Sequence, residues 1–147
     1  MITRACTKTD YDYIVRIIDE WWGGPTSALA HPIFFHELGA TAMVVEQDDQ
    51  LVGFLFGFTS PRGPTGYVHL VGIHPDFRRR GVASALYKGF EAACVEEGCN
   101  QMKAITTTGN AGSIRFHEAM GWQTERDPDY AGRGRARVIF TKPVDKD

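Results

Sequence analysis

A chain of 147 residues, 43% hydrophobic and 23% charged, has the size and composition of one globular domain with a real core. Its formal net charge of −2 supplies no overall basic field for nucleic acid, and the arginines are local. No apolar run approaches the roughly 20 residues that span a bilayer, so no membrane segment is expected.

Met1-Ile2-Thr3-Arg4 is not the start of a signal peptide, and Ile2 to Cys6 reads as a short first strand. Thr9 is a good N-cap with Asp12 three residues on, which starts a helix at Asp10. Tyr11, Ile14, Val15, Ile18 and Trp22 recur at helical spacing and form a core-facing stripe. Gly23-Gly24-Pro25 is the stop signal. A second short helix is read around Pro32 to Leu38. The stretch from Trp21 onward is aromatic-rich, and Trp21, Phe34 and Phe35 read first as packing residues.

Thr41 to Glu46 and Leu51 to Phe58 read as a β-hairpin joined by Gln47-Asp48-Asp49-Gln50. A Pro/Gly loop from Ser60 to Gly66 leads into a buried strand, Tyr67 to Ile73. Alternation puts Tyr67, His69 and Val71 on one face, with Val68, Leu70 and Gly72 on the other. His69 stands out, because its ring nitrogens must find partners in an apolar strand. His74-Pro75-Asp76 ends the strand, with His74 a cap or solvent-facing residue. Arg78, Arg79, Arg80 and Gly81 follow, and Val82, Leu86, Phe90 and Ala93 then mark one helix face. A strand, a basic glycine turn and a helix N-terminus together suit phosphate, through free amides and a favourable dipole.

That helix runs to about Glu97 and closes at Gly98. Gln101 to Thr107 reads as a strand parallel to the central one, because a helix-sized connection separates them. A second helical pattern spans Asn110 to Met120, with Asn110 as N-cap and Gly121 as C′ residue. Trp122 to Glu125 and Ala136 to Thr141 form a last strand pair around the polar loop Arg126 to Arg135. Near that loop Glu125, Asp127 and Asp129 would attract a cationic amine, or the mixed charges are simply solvated. There is no G-x-x-x-x-G-K-[ST] loop, no G-x-G-x-x-G, and His117-Glu118 lacks the second histidine of H-E-x-x-H. The five histidines show no compact metal spacing, so no metal is expected. Cys6, Cys94 and Cys99 are odd in number and fit a reduced, cytoplasmic compartment.

Two segments carry a family resemblance. Arg78-Arg79-Arg80-Gly81-Val82-Ala83 matches the R/Q-x-x-G-x-G/A signature of the GCN5-related N-acetyltransferases. Asn110 to Trp122 resembles their second motif, N-x-x-A-x-x-F/L-Y-x-x-x-G-F. Asn110, Ser113, Phe116 and Gly121-Trp122 fall on its Asn, small, apolar and G-F positions. The motifs stand in the family's order, and the resemblance covers roughly residues 41 to 125. It implies an α/β (α+β) fold in a single domain over 1–147. The sheet would be mixed, of about six to seven strands flanked by about four helices, with the parallel strands splayed.

The resemblance also implies acetyl-CoA as cofactor. Its pyrophosphate would lie on the turn and helix start formed by Arg78, Arg79, Arg80, Gly81, Val82, Ala83 and Ser84. A Cβ at Gly81 would push that backbone away from the phosphates. Pantetheine would enter the splayed gap, pair with Val71 and Ile73 on either side of Gly72, and pass Asn110, Ser113 and Phe116. His117 replaces a tyrosine that in many relatives protonates the leaving thiolate. An imidazolium has the acidity for that task, and an inert helix-surface histidine is the other reading. Some relatives carry a general base on the central strand, where His69 or Tyr67 falls. Trp21, Trp22 and Phe35 would line the acceptor pocket. The implied reaction is direct acetyl transfer to a primary amine, with a small molecule as acceptor. Two alternatives stay open: a protein N-terminus or lysine as acceptor, and a non-catalytic domain that senses acyl-CoA. Relatives often dimerise through C-terminal strands or a sheet edge, which allows a homodimer.

Overall fold

Apolar residues alternate along the strands and recur every three or four positions in the helices, which calls for a sheet covered on both faces. The computed structural model describes residues 1–23 and 27–145, so Gly24 and Pro25 of the expected stop signal lie outside the described residues. Seven strands lie in the order β1-β2-β3-β4-β5-β7-β6. They are β1 (Ile2–Ala5), β2 (Met43–Gln47), β3 (Gln50–Ser60), β4 (Thr65–Ile73), β5 (Gln101–Thr106), β6 (Gln123–Asp127) and β7 (Arg137–Pro143). The α-helices are α1 (Lys8–Trp22), α2 (Ile33–His36), α3 (Val82–Glu96) and α4 (Ala111–Ala119). This is the expected mixed sheet: β4 and β5 run parallel across the α3 connection, and the other neighbours are antiparallel. No helix among the described residues is long and apolar enough to cross a membrane.

The helix start differs from the sequence expectation. Thr7, not Thr9, caps α1, and Asp10 closes the capping box by accepting the Thr7 amide at 2.8 Å. Thr7-x-x-Asp10 and Thr9-x-x-Asp12 fit the spacing equally, and a tertiary contact decides between them. Arg4 on β1 donates to Asp10 at 2.6 Å and also pairs with Glu46. That guanidinium bond holds the buried Asp10 carboxyl below its ordinary value. The resulting stabilisation is present above the ordinary carboxylate pKa of about 3.9 and is lost as pH falls through the lower folded value. Thr7→Ala is expected to cost about 1 kcal/mol in urea unfolding, and no change would sink this assignment of the cap.

Two cores result. On one face Tyr11, Ile14, Ile18 and Trp21 of α1 pack on Val44, Phe54, Phe56 and Leu70. On the other, Val82, Leu86, Phe90 and Cys94 of α3 pack on Leu55, Val68, Met102 and Phe140. Cys94 takes the last place in the expected helix stripe, where the sequence pointed to Ala93. The β2–β3 turn is also tighter than expected. Only Asp48 and Asp49 form it, with φ of 53° and 61°, the left-handed pair of a two-residue hairpin loop.

Strict alternation fails in β4. Phe56 pairs with Leu70 and Gly57 with Val68, so His69 is the extra residue of a β-bulge. The faces change over at that point. Val68 belongs to the α3-side core, yet Leu70 belongs to the α1-side core, with Val71 and Ile73 packed back on the α3 side. His69 and Leu70 therefore share the α1 side, and Val71 does not share a face with His69 as alternation predicted. A bulge has no signature in residue type here, which is why the period-two reading missed it.

Candidate active site

The functional cavity begins where the parallel ladder ends. β4 and β5 pair from Thr65–Gln101 to Val68–Ala104 and no further. β5 continues to Thr106 on β7, and β4 continues to Ile73 on β3, so the two strands part beyond the bulge. A cavity of about 590 Å³ fills the gap. Trp21, Trp22, Leu29 and His69 wall it on the α1 side, and Tyr87, Asn110, Ser113 and His117 on the α3–α4 side.

A second cavity of about 350 Å³ sits at the start of α3, walled by Ile73, Phe77, Arg78, Arg79, Gly81, Val82, Ala83, Ser84 and Phe116. Gly81 occupies the N-cap of α3 at φ 82° and offers no side chain to the helix's first amides. Those donors stay available, and nothing lies within 4 Å of the place a Cβ would occupy. Arg79 is also left-handed at φ 62°, which coils the turn around its own amides. Arg78 donates to the Trp21 carbonyl at 3.0 Å and ties the turn to the end of α1. Arg80 does not wall this cavity, and its guanidinium lies 5.1 Å over the Phe77 ring. Asp76 donates its amide to His74 Nδ1 at 3.1 Å, so His74 acts as a local cap.

His69 Nε2 is 2.8 Å from the Leu29 carbonyl. A carbonyl only accepts, so Nε2 carries the hydrogen and Nδ1 is the basic nitrogen. Nδ1 has no hydrogen-bond partner among the described residues, and the ring stacks on Phe34 with centroids 3.7 Å apart. Burial lowers the His69 pKa, partly opposed by the Leu29 bond.

Residues 11–122 match the family model for the acetyltransferase (GNAT) family. The chain belongs to that family. An acetyltransferase of Pectobacterium atrosepticum is 30% identical over 82 residues, which is 56% of this chain and 57% of that protein. The match therefore spans little more than half the length of that relative. Ard1 from Thermoplasma volcanium shares the fold with a TM-score of 0.81 at 23% identity, over 99% of this chain and 98% of that one. An aminoglycoside 6′-N-acetyltransferase complexed with coenzyme A shares it with a TM-score of 0.77 at 14% identity, over 100% and 99% of the two chains. At such identities the likeness is one of fold.

His117, at the position where many GNAT relatives carry tyrosine, is 5% exposed and lies flat on Phe140 at 4.0 Å. Its Nδ1 reaches the Ser113 carbonyl at 2.8 Å and so carries the hydrogen. Nε2 then accepts from the Tyr87 hydroxyl at 2.8 Å. Both nitrogens are committed inside the protein, which excludes the helix-surface reading. Burial lowers the His117 pKa and raises that of Tyr87 well above its ordinary value. Tyr87 was missed from sequence because it reads as one more buried residue of α3, and only α4 folding onto α3 brings it to His117.

Other expected GNAT site residues divide. Asn110 caps α4 through the Ser113 amide and also donates to Thr106, so its amide group is structural as well as wall-forming. Phe116 packs on Tyr87 and walls the 350 Å³ cavity. Gly72 lies against Phe54 on the α1 side, so only its backbone can serve the gap. Phe35 is turned away and stacks on Tyr11 at 5.2 Å, whereas Phe34 stands beside His69. Tyr67 lies outside the 590 Å³ cavity, and burial pushes its hydroxyl up to about 12, so it stays protonated. Tyr67 instead lines an adjoining space, packed on Phe58 at 5.4 Å.

Proposed function

We propose that this GNAT chain transfers acetyl from acetyl-CoA to a primary amine by direct attack in a ternary complex. The observation that carries this reading is the gap between β4 and β5, which joins the α3-side cavity wall to an aromatic wall on the α1 side. The residues present fit the group. Open space at Gly81 and uncapped α3 amides suit a pyrophosphate, and the edge of β4 that β5 leaves open from His69 to Ile73 suits a pantetheine amide chain. Bound there, acetyl-CoA supplies an activated acetyl thioester. The aromatic wall of Trp21 and Trp22, with Phe34 stacked on His69, supports a small-molecule acceptor, as does the aminoglycoside-modifying neighbour.

The chain's own groups then manage two protons. An ammonium acceptor must lose one before its nitrogen can attack, and His69 Nδ1 is the free base on the acceptor side. Sulfur must gain one as the thioester is cleaved. On the opposite side the donor is Tyr87 Oη, whose hydrogen rests on His117 Nε2 and would have to swing from that nitrogen to sulfur as the thiolate forms. The acid function expected of His117 thus passes to the tyrosine it contacts.

Two measurements test the reading. Gly81→Ala is expected to raise the Kd for CoA at least about tenfold, because a Cβ enters the phosphate space, while left-handed strain costs only about 1 kcal/mol of stability. Equal effects on acceptor and CoA binding would count against the phosphate site. CoA release from acetyl-CoA with pooled amines, detected by mass because Cys6 is partly exposed, reads turnover. Binding without release in any pool would move the chain to the sensing class, and no acetyl-CoA binding would overturn the reading.

A further inference from the structure

A third cavity, of about 450 Å³, adjoins the gap and shares Ile105 as a wall with it. Met102 and Ala104 of β5 are buried in the α3-side core, so Lys103 and Ile105 face the other way, toward the acceptor side. Tyr67 and Phe58 pack together as its aromatic wall at 5.4 Å. Arg62 from the β3–β4 turn and Tyr130 from the β6–β7 loop complete the rim.

Its charge is one-sided. Arg62 and Lys103 are basic, and no aspartate or glutamate among the described residues lines this cavity or the 590 Å³ one. Lys103 is half-buried with its ammonium 4.9 Å over the Tyr130 ring, and no described carboxylate pairs with it. A partly desolvated ammonium held only by a ring face favours an anion. Of the acids that the sequence offered as an attractor for cationic amines, Asp127 and Asp129 serve the loop itself. Asp127 accepts the Asp129 amide, and Asp129 accepts the Gly134 amide.

We propose that the acceptor is a small primary amine that also carries an anionic group, a carboxylate or a phosphate, seated between Lys103 and Arg62 while its amine reaches His69. This rests on the acetyl-transfer reading above. A polycationic amine would meet two like charges and no counter-charge in this space.

The test uses the full chain with saturating acetyl-CoA and four matched length series: ω-amino carboxylates, aminoalkyl phosphates, plain alkylamines and diamines. At least one anionic series is expected to exceed the matched alkylamines in kcat/KM by about tenfold or more, and to exceed the diamines further. Which of the two leads identifies the anion. Lys103→Gln should erase that preference through KM, and Lys103→Glu should turn it toward diamines. Arg62→Ala gives a second, surface-exposed variant should either Lys103 change disturb folding. Calorimetric titration of the CoA-loaded protein with the same series reads binding where turnover is slow. Equal kcat/KM across the series, a preference for diamines, or no calorimetric binding of either anionic series would overturn the inference. In those cases acetyl-CoA binding and CoA release would still stand for the transferase. Loss of acetyl-CoA binding itself would instead bring down the underlying reading.

Discussion

Tyr87→Phe is expected to lower kcat by about 10²-fold or more while leaving the KM for acetyl-CoA within a few fold. The change removes one hydroxyl from a residue that is 5% exposed and keeps the ring that packs on Phe116 and Trp122. What it deletes is the hydroxyl hydrogen that rests on His117 Nε2 and that the proposed step would pass to sulfur. Leaving that nitrogen unpaired in the interior costs about 1–3 kcal/mol of stability, so thermal unfolding must be measured alongside. His117→Gln separates the roles. If Tyr87 is the acid and His117 only orients it, the glutamine variant should lose less kcat than Tyr87→Phe. A Tyr87→Phe protein with near-native kcat would end the assignment, and a larger loss from His117→Gln would return the acid role to the histidine.

The second large effect is expected at His69. Glutamine can still donate to the Leu29 carbonyl but cannot take a proton at the Nδ1 position. His69→Gln should therefore reduce kcat/KM by about 10²-fold or more at neutral pH. The pH profile gives the sign. Burial lowers the His69 pKa, so the neutral, basic form dominates at neutral pH and is lost only as pH falls through a value below the ordinary 6.5. Wild-type kcat/KM should show an acid limb with its midpoint below that value, and His69→Gln should lack it. An unchanged limb in the variant would assign the titration to the acceptor amine and leave His69 a positioning residue on the bulge.

The sequence by itself determined what local physics controls. The strand, basic turn and helix from Tyr67 to Phe90 are contiguous, so apolar run, Pro75, Gly81 and helical stripe could all be read in one pass. Asn110 and Gly121 marked α4 for the same reason, because caps are short-range hydrogen bonds. The parallel β4–β5 pair followed from a connection long enough to hold a helix.

Tertiary structure decided the rest, because each remaining feature depends on groups far apart in the chain. Arg4 selected Thr7 over Thr9 as the cap through Asp10. The bulge that parts Val71 from the face of His69 exists only in the register of β4 on β3. Tyr87 and His117 meet across thirty residues of sequence, and Phe34 displaces Phe35 at His69 by the rotation of one short helix. Lys103 and Arg62 share a cavity only because β5 turns its odd-numbered residues toward the β3–β4 turn. Local signals placed the cofactor turn; long-range packing chose which side chains face the acceptor.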